Sequence, residues 1–194
     1  MPEYQRRLPH LQPEDATLFL TWRLYGSEAA ARRPLLKTDP RPGHRFVAQD
    51  RELDRALAEP KWLKDTRIAD FVAYTIKAGE SERGFYKLHA WVIMPNHVHL
   101  LITPHVPLPV VTSWLKGSTA RKANQILGLT GQPFWLDESW DHWVRRTESL
   151  NRTQRYIGEN PVTAGLVPYP GLWRWSSATG QPEPPAPPHK ESQV

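Results

Sequence analysis

The stretch LHAWVIMPNHVHLLITP, residues 88–104, decides the fold of this chain. Aromatic and β-branched residues are frequent from Tyr86 to Ile93, which predicts a strand. Met94-Pro95-Asn96 then supplies turn chemistry, and the strand pattern resumes over residues 97–103. The sequence therefore predicts a β-hairpin closed by a tight turn.

Two histidines stand at the start of the second strand. Side chains alternate between the faces of a strand, so His97 and His99 share one face. Val98, Leu100 and Ile102 share the other face and can form core. A single strand histidine is ordinarily structural, but a pair at i and i+2 favours a metal-binding or catalytic role, because buried imidazoles need partners. The spacing alone leaves zinc, manganese and magnesium open.

The composition is that of a soluble globular protein. The chain has 194 residues, 39% of them hydrophobic, and a mean hydropathy of -0.59. It has no apolar run long enough to span a membrane and no secretory signal, so we expect a cytoplasmic protein without a membrane partner. Because it has no cysteine, any metal must be held by His, Asp, Glu, Asn or Gln.

The charge favours a polyanionic partner. The net charge is +5 and the pI is about 9.6. Nine tryptophans could stack on unpaired bases or simply fill the core. Solvated surface charges are the alternative interpretation of the basic residues. The candidate contacts to such a partner are Arg6, Arg7, Arg23, Lys116, Arg121, Lys122, Trp140, His142, Arg145, Arg152 and Arg155.

The remaining patterns predict one domain over residues 1–179. A tail over residues 180–194 is rich in proline, which predicts disorder. The sequence predicts strands at 16–25 and 134–145, and helices at 50–59, 65–78, 109–127 and 147–160. Pro161 is expected to end the last helix. On that helix Arg152, Tyr156 and Asn160 stand at i, i+4 and i+8, on one face.

Two segments together resemble a known family. MPNHVHLL, residues 94–101, resembles the histidine–hydrophobic–histidine (HUH) signature of single-tyrosine transposases. RYIGENPVTAGLV, residues 155–167, resembles the C-terminal block of their REP-associated branch, the REP-associated tyrosine transposases. Trp140-Asp141-His142 and Trp175-Ser176-Ser177 are also similar to that branch. The likeness spans nearly the whole chain before the tail.

The resemblance implies a ferredoxin-like α+β fold. Its antiparallel sheet would have helices packed on one face and the HUH motif on a central strand. It also implies a metal-dependent endonuclease and strand transferase acting on single-stranded DNA, especially on hairpins of repetitive extragenic palindromes (REP). The alternatives are a domesticated hairpin-binding protein with little or no cleavage, and a hydrolase that activates water. A monomer and a dimer both stay open.

The same resemblance implies roles for four residues. His97 and His99 match the two metal-binding histidines, and Tyr156 matches the nucleophile that forms a 5′-phosphotyrosine intermediate. Asn160 matches the position of a third metal ligand, where related transposases usually carry Gln. The metal would be Mg²⁺ or Mn²⁺. A tyrosine is a weak nucleophile at its usual pKa of about 10, and a nearby cation and Arg152 would favour the phenolate.

Overall fold

The computed structural model describes residues 16–27, 60–144 and 147–182. The predicted helix at 50–59, the residues Arg6, Arg7 and Arg145, and tail residues 183–194 lie outside the described residues. The domain bounds 1–179 therefore stay a prediction. None of the described helices is long and apolar enough to cross a membrane.

Seven regular elements and two short 3-10 turns make up the described residues. They agree with the predicted strands and helices, apart from the ends of the helices predicted at 65–78 and 147–160, which extend to Ser81 and Thr163. The 3-10 turns are Trp62–Lys64 and Pro170–Leu172. The elements are β1 (Thr17–Leu24), α1 (Thr66–Ser81), β2 (Tyr86–Ile93), β3 (His97–Pro104), α2 (Leu108–Leu127), β4 (Trp135–Val144) and α3 (Thr147–Thr163).

The strands form one antiparallel sheet in the order β2-β3-β1-β4. The order of elements from β1 to β4 is β-α-β-β-α-β, which is the ferredoxin-like arrangement. The predicted α+β class with an antiparallel sheet is therefore confirmed. Strand β3 lies between β2 and β1, so His97 and His99 are on an interior strand, with Thr21 opposite His99 and Arg23 opposite His97.

The helices cover both faces of the sheet, and the expectation that they pack on one face is wrong. Helices α1 and α2 are the two crossovers, and both pack on the face that carries Leu20 and Leu100. Helix α3 comes after the last strand and packs on the other face through Ile157. The reason is that Phe19 and Leu101 give that second face apolar surface of its own, which an additional helix can bury.

Helix α3 continues beyond its predicted end at Asn160. Pro161 lies inside the helix, which ends at Thr163. A proline loses its own N–H and crowds the carbonyl four residues before it, but the hydrogen bonding continues beyond it, since the Leu166 N–H donates to Pro161 O at 2.9 Å. Gly165, at φ +70°, supplies the left-handed residue that terminates the helix. Gly165, rather than Pro161, therefore ends helix α3.

The segment after α3 returns to the free edge of β2. Val92 forms an isolated bridge with Ser176, and the Ile93 N–H donates to Trp175 O at 2.9 Å. The indole N–H of Trp173 donates to Ile93 O at 3.0 Å. These bonds fix the chain that follows α3 to the same hairpin that carries the histidines.

Candidate active site

The two histidines of β3 meet at a single point inside the protein. Both side chains are fully buried, at 0% exposure. Their ring centroids are 4.7 Å apart, and His97 Nε2 lies 3.1 Å from His99 Nε2. The predicted shared face is confirmed, and the two ring nitrogens converge on one point.

The opposite nitrogen of each ring is held by a hydrogen bond. Asn96 Oδ1 lies 2.8 Å from His97 Nδ1, and Thr21 Oγ1 lies 2.8 Å from His99 Nδ1. Sequence reasoning missed both partners, because Asn96 reads as a turn residue and Thr21 as an ordinary strand residue. The register that brings Thr21 opposite His99 pairs residues 78 positions apart, and no local pattern encodes it.

Helix α3 brings the other two predicted residues to the pair. Asn160 is buried, and its Nδ2 lies 3.4 Å from His99 Nε2, across 61 positions of the chain. Tyr156 is half-buried, with its ring centroid 6.0 Å from that of His99 and 6.2 Å from that of Phe19. The residues singled out in the sequence therefore lie together.

A glycine allows α3 to fit in this place. Ile157 is fully buried under the helix, and Gly158 faces Ala178 of the following segment. A Cβ atom at position 158 would lie 3.3 Å from the Ala178 Cβ, tighter than most carbon contacts. The unfavourable helix propensity of Gly158, about 1 kcal/mol relative to Ala, thus has a packing reason.

The donor atoms fit a divalent metal ion. Two nitrogens bound to one ion at about 2.0–2.1 Å with angles near tetrahedral are about 3.3–3.4 Å apart, only slightly more than the 3.1 Å between the two Nε2 atoms. Rotation of the Asn160 amide would turn its carbonyl oxygen toward the same point. No group of three or more His, Asp or Glu residues that could hold a metal occurs within the described ranges. The candidate set is therefore two imidazoles and one amide.

The polar face continues from the histidine pair toward the far end of the sheet. A bulge in β2 lies at His89, whose Nε2 is 2.8 Å from Thr103 Oγ1. Thr103 Oγ1 in turn lies 2.9 Å from Thr17 Oγ1. Burial lowers the pKa of His89, and the nearby Lys87 lowers it further, which favours the neutral imidazole.

Three of the predicted DNA contacts lie around the face that carries the histidines. Arg23 is paired with His97 across the sheet and is partly exposed. Arg152 and Arg155 are exposed on α3. Arg23 is therefore the arginine placed directly beside the histidine pair, and DNA contact through these three arginines stays a prediction.

The predicted contacts on α2 lie on the helix that covers the opposite face. Arg121 and Lys122 are exposed there. The Lys116 ammonium donates to Leu136 O at 2.5 Å and to Asp137 O at 2.9 Å, so it ties α2 to the start of β4. DNA contact by these three side chains stays a prediction.

Two further predicted contacts are on the edge strand β4. Trp140 pairs with Thr21 and His142 pairs with Phe19 in the register of the backbone. These positions place both residues next to the part of β1 that borders the histidine pair. Their DNA contacts also stay predictions.

The chain is similar to one family model and to solved structures. The family model "Transposase IS200 like" matches residues 59–160, more than half of the chain. A solved REP-associated tyrosine transposase bound to a REP hairpin has the same fold, with a TM-score of 0.54, 19% identity, and coverage of 91% of this chain and 82% of that chain. A Deinococcus radiodurans protein described as a transposase aligns with a TM-score of 0.43 and 18% identity, over 82% of this chain and 98% of that chain. No curated protein matches the chain.

Proposed function

The chain belongs to the IS200-like transposase family, and we propose that it is a metal-dependent endonuclease and strand transferase for single-stranded DNA, acting on REP-type hairpins. One observation carries the proposal: α3 places Tyr156 and Asn160 beside two fully buried histidines that converge on one point. Neither a core packing role nor a simple binding role requires this combination.

Tyr156 is the proposed nucleophile. Its phenolic oxygen would attack the scissile phosphorus and lose its proton, while the bond from phosphorus to the 3′ oxygen breaks and that oxygen takes a proton. The products are a 5′-phosphotyrosine diester and a free 3′ hydroxyl. Because the diester is retained, a second 3′ hydroxyl can reverse the step and rejoin a strand without ATP.

Tyr86 illustrates why position matters for this role. Its hydroxyl is buried and donates to Ile76 O at 2.6 Å, on the face covered by α1 and α2. Burial also raises the pKa of Tyr86 above its usual value, which disfavours the phenolate. Tyr156 is half-buried instead, within reach of both the histidine pair and solvent.

His97, His99 and the carbonyl oxygen of Asn160 would hold the metal. A bound divalent cation would offset charge on a nonbridging oxygen of the scissile phosphate. The two imidazole donors favour Mn²⁺ over Mg²⁺, because Mg²⁺ is usually bound by oxygen ligands. Arg23, opposite His97, would orient the adjacent phosphate by charge-assisted hydrogen bonds.

The proposed substrate is a DNA hairpin with single-stranded flanks. A net charge of +5 favours a polyanion, and family relatives process DNA. We expect the protein to bind a REP-type hairpin more tightly than a duplex of the same sequence, with affinity falling as salt rises. Binding isotherms of both DNAs at two salt concentrations test this, and equal affinities would exclude hairpin selectivity.

A covalent adduct is the decisive test of the proposed reaction. The protein is incubated with Mn²⁺ or Mg²⁺ and a hairpin labelled on the 3′ side of the expected cleavage point, and then separated by denaturing electrophoresis. We expect a labelled protein band that is absent for Tyr156→Phe, while Tyr156→Phe still binds the hairpin. The matched control is Tyr74→Phe, because Tyr74 is exposed on α1 and its hydroxyl donates to Glu82 at 2.9 Å.

Three other outcomes would each replace the proposal. Cleavage without an adduct would indicate a hydrolase that activates water. Tight hairpin binding without cleavage in either metal would indicate a domesticated binding protein. An adduct that persists in Tyr156→Phe would assign the nucleophile to another residue.

A further inference from the structure

The two active-site imidazoles have different kinds of hydrogen-bond partner, and we infer from this that Asn96 and Thr21 are positioning residues with different tasks. Asn96 fixes His97 in one tautomer, whereas Thr21 allows His99 to change tautomer when a metal binds. The inference rests on the proposed metal site. It concerns the protons on four ring nitrogens, which can be observed without any DNA or activity.

His97 is the fixed member of the pair. Its Nδ1 lies 2.8 Å from Asn96 Oδ1, an amide carbonyl oxygen that can only accept a hydrogen bond. The proton of a neutral His97 must therefore be on Nδ1, which leaves the lone pair on Nε2 facing His99. Asn96 is itself buried, and its backbone carbonyl oxygen accepts the Leu24 N–H at 2.9 Å, which fixes the backbone from which the side-chain amide extends.

In the absence of metal, His99 must be the other tautomer, with its proton on Nε2 rather than on Nδ1. Its Nε2 lies 3.1 Å from His97 Nε2, and two lone pairs at that distance would repel each other. His99 must then carry its proton on Nε2 and donate to His97. Its Nδ1 accepts from the Thr21 hydroxyl at 2.8 Å. The Asn160 amide, at 3.4 Å from His99 Nε2, is outside the usual hydrogen-bond range and does not decide the tautomer.

A metal ion at the convergence point needs both Nε2 lone pairs. The His99 proton must then be on Nδ1, where it needs an acceptor. A hydroxyl is both a donor and an acceptor, so Thr21 can turn its lone pair toward Nδ1 without any movement of the ring. Metal-bound histidines generally donate their other N–H in this way, and loss of such a partner typically weakens metal binding by 10–100-fold.

The conservative variants separate hydrogen bonding from shape. Thr21→Val keeps the size and the strand preference but can neither donate nor accept, whereas Thr21→Ser keeps the hydroxyl. Asn96→Asp keeps an acceptor for His97 Nδ1, whereas Asn96→Ala removes it. We expect Thr21→Val and Asn96→Ala to weaken Mn²⁺ binding by about 10–100-fold, and Thr21→Ser and Asn96→Asp to retain or improve it. Calorimetry with Mn²⁺ measures the Kd, and thermal unfolding confirms that each variant is folded.

Nitrogen NMR of the full chain labelled with ¹⁵N-histidine observes the tautomers directly. The metal-free protein should show His97 protonated on Nδ1 and His99 on Nε2, and diamagnetic Zn²⁺ should move the His99 proton to Nδ1. In metal-free Thr21→Ser the pattern should be unchanged. The resonances are assigned with single His97→Ala and His99→Ala variants.

Three results would overturn the inference. They are a metal-free His99 protonated on Nδ1, a metal-free His97 protonated on both nitrogens, and Thr21→Val binding Mn²⁺ as tightly as the unmodified protein. Each is distinguishable from failure of the proposed function, which the covalent adduct decides. Absence of metal binding together with absence of an adduct would remove that function, while the metal-free tautomers would still support or overturn the tasks given to Asn96 and Thr21.

Discussion

Both faces of the same sheet bury side chains, but they are chemically different. Under α1 and α2, the side chains of β1 and β3 are apolar, as at Leu20 and Leu100. Under α3, the same two strands present Thr21, His97 and His99 between apolar neighbours. One face can therefore supply stability through apolar burial alone, whereas the other keeps costly polar groups in place with paired hydrogen bonds.

Burial alone does not distinguish a functional side chain from a core side chain in this sheet. Leu100 and His99 are neighbours on β3 and both are at 0% exposure. What distinguishes them is that every step along the strand changes the face, and with it the helix that covers the side chain. Four sets of substitutions can break or sharpen this contrast.

The largest effect is expected for the histidines. We expect His97→Ala and His99→Ala each to abolish cleavage of a labelled hairpin, a loss of at least a thousandfold, or about 4 kcal/mol in activation free energy. Hairpin affinity should change by only a few fold, because the phosphate contacts remain. Single-turnover cleavage measures the loss. The control is His105→Ala, since His105 is exposed beyond β3, and wild-type cleavage by the double variant would contradict the metal site.

Substitution of two adjacent leucines on β3 compares the two faces of the sheet directly. Leu100 and Leu101 are both fully buried, but only Leu101 packs with Ile157 of α3. Leu100→Ala and Leu101→Ala should each lower the free energy of unfolding by about 2–5 kcal/mol. Only Leu101→Ala should also slow cleavage at a temperature where both variants are folded, because it removes a side chain against which α3 packs. Equal slowing by both variants would mean that the faces are not independent.

A third substitution tests the apolar face alone. In Gly79→Ala, a Cβ on α1 would overlap the Tyr86 hydroxyl, which bonds to Ile76 O. We expect a loss of about 2–4 kcal/mol in unfolding free energy from overpacking and a lost buried hydrogen bond. Chemical denaturation measures it, and the cleavage rate below the transition should stay unchanged. Addition of Tyr86→Phe should recover part of the loss, and strict additivity would argue against this contact.

The smallest effect distinguishes two helical glycines. Nothing lies within 4 Å of a Cβ added at Gly117 of α2, so Gly117→Ala should stabilise the protein by about 0.5–1 kcal/mol. At Gly158 the same gain is opposed by the 3.3 Å contact with Ala178. Gly158→Ala should therefore gain less, and Gly158→Ala combined with Ala178→Gly should recover the difference. Equal gains from the two single variants would show that α3 is not held tightly against this segment.

The secondary structure was largely predictable because it depends on local patterns. Alternation in β1 and β3, helical spacing in α1 and the turn at residues 94–96 are visible within short windows. The end of α3 was mispredicted since Pro161 is a strong local stop signal, whereas Gly165 and the packing of the last turn decide the real end. The placement of α3 was mispredicted because the sequence does not state which face of a sheet a terminal helix will cover.

The sequence by itself determined which residues could carry the chemistry. His97 and His99 must share a strand face, and Tyr156 and Asn160 must share a helix face, because those periodicities follow from backbone geometry. Only the tertiary structure decided that the two faces meet, that Thr21 and Asn96 hold the imidazoles, and that Lys116 ties α2 to β4. Such contacts join residues far apart in the chain, and their geometry depends on the packing of the whole sheet and its helices rather than on any local pattern.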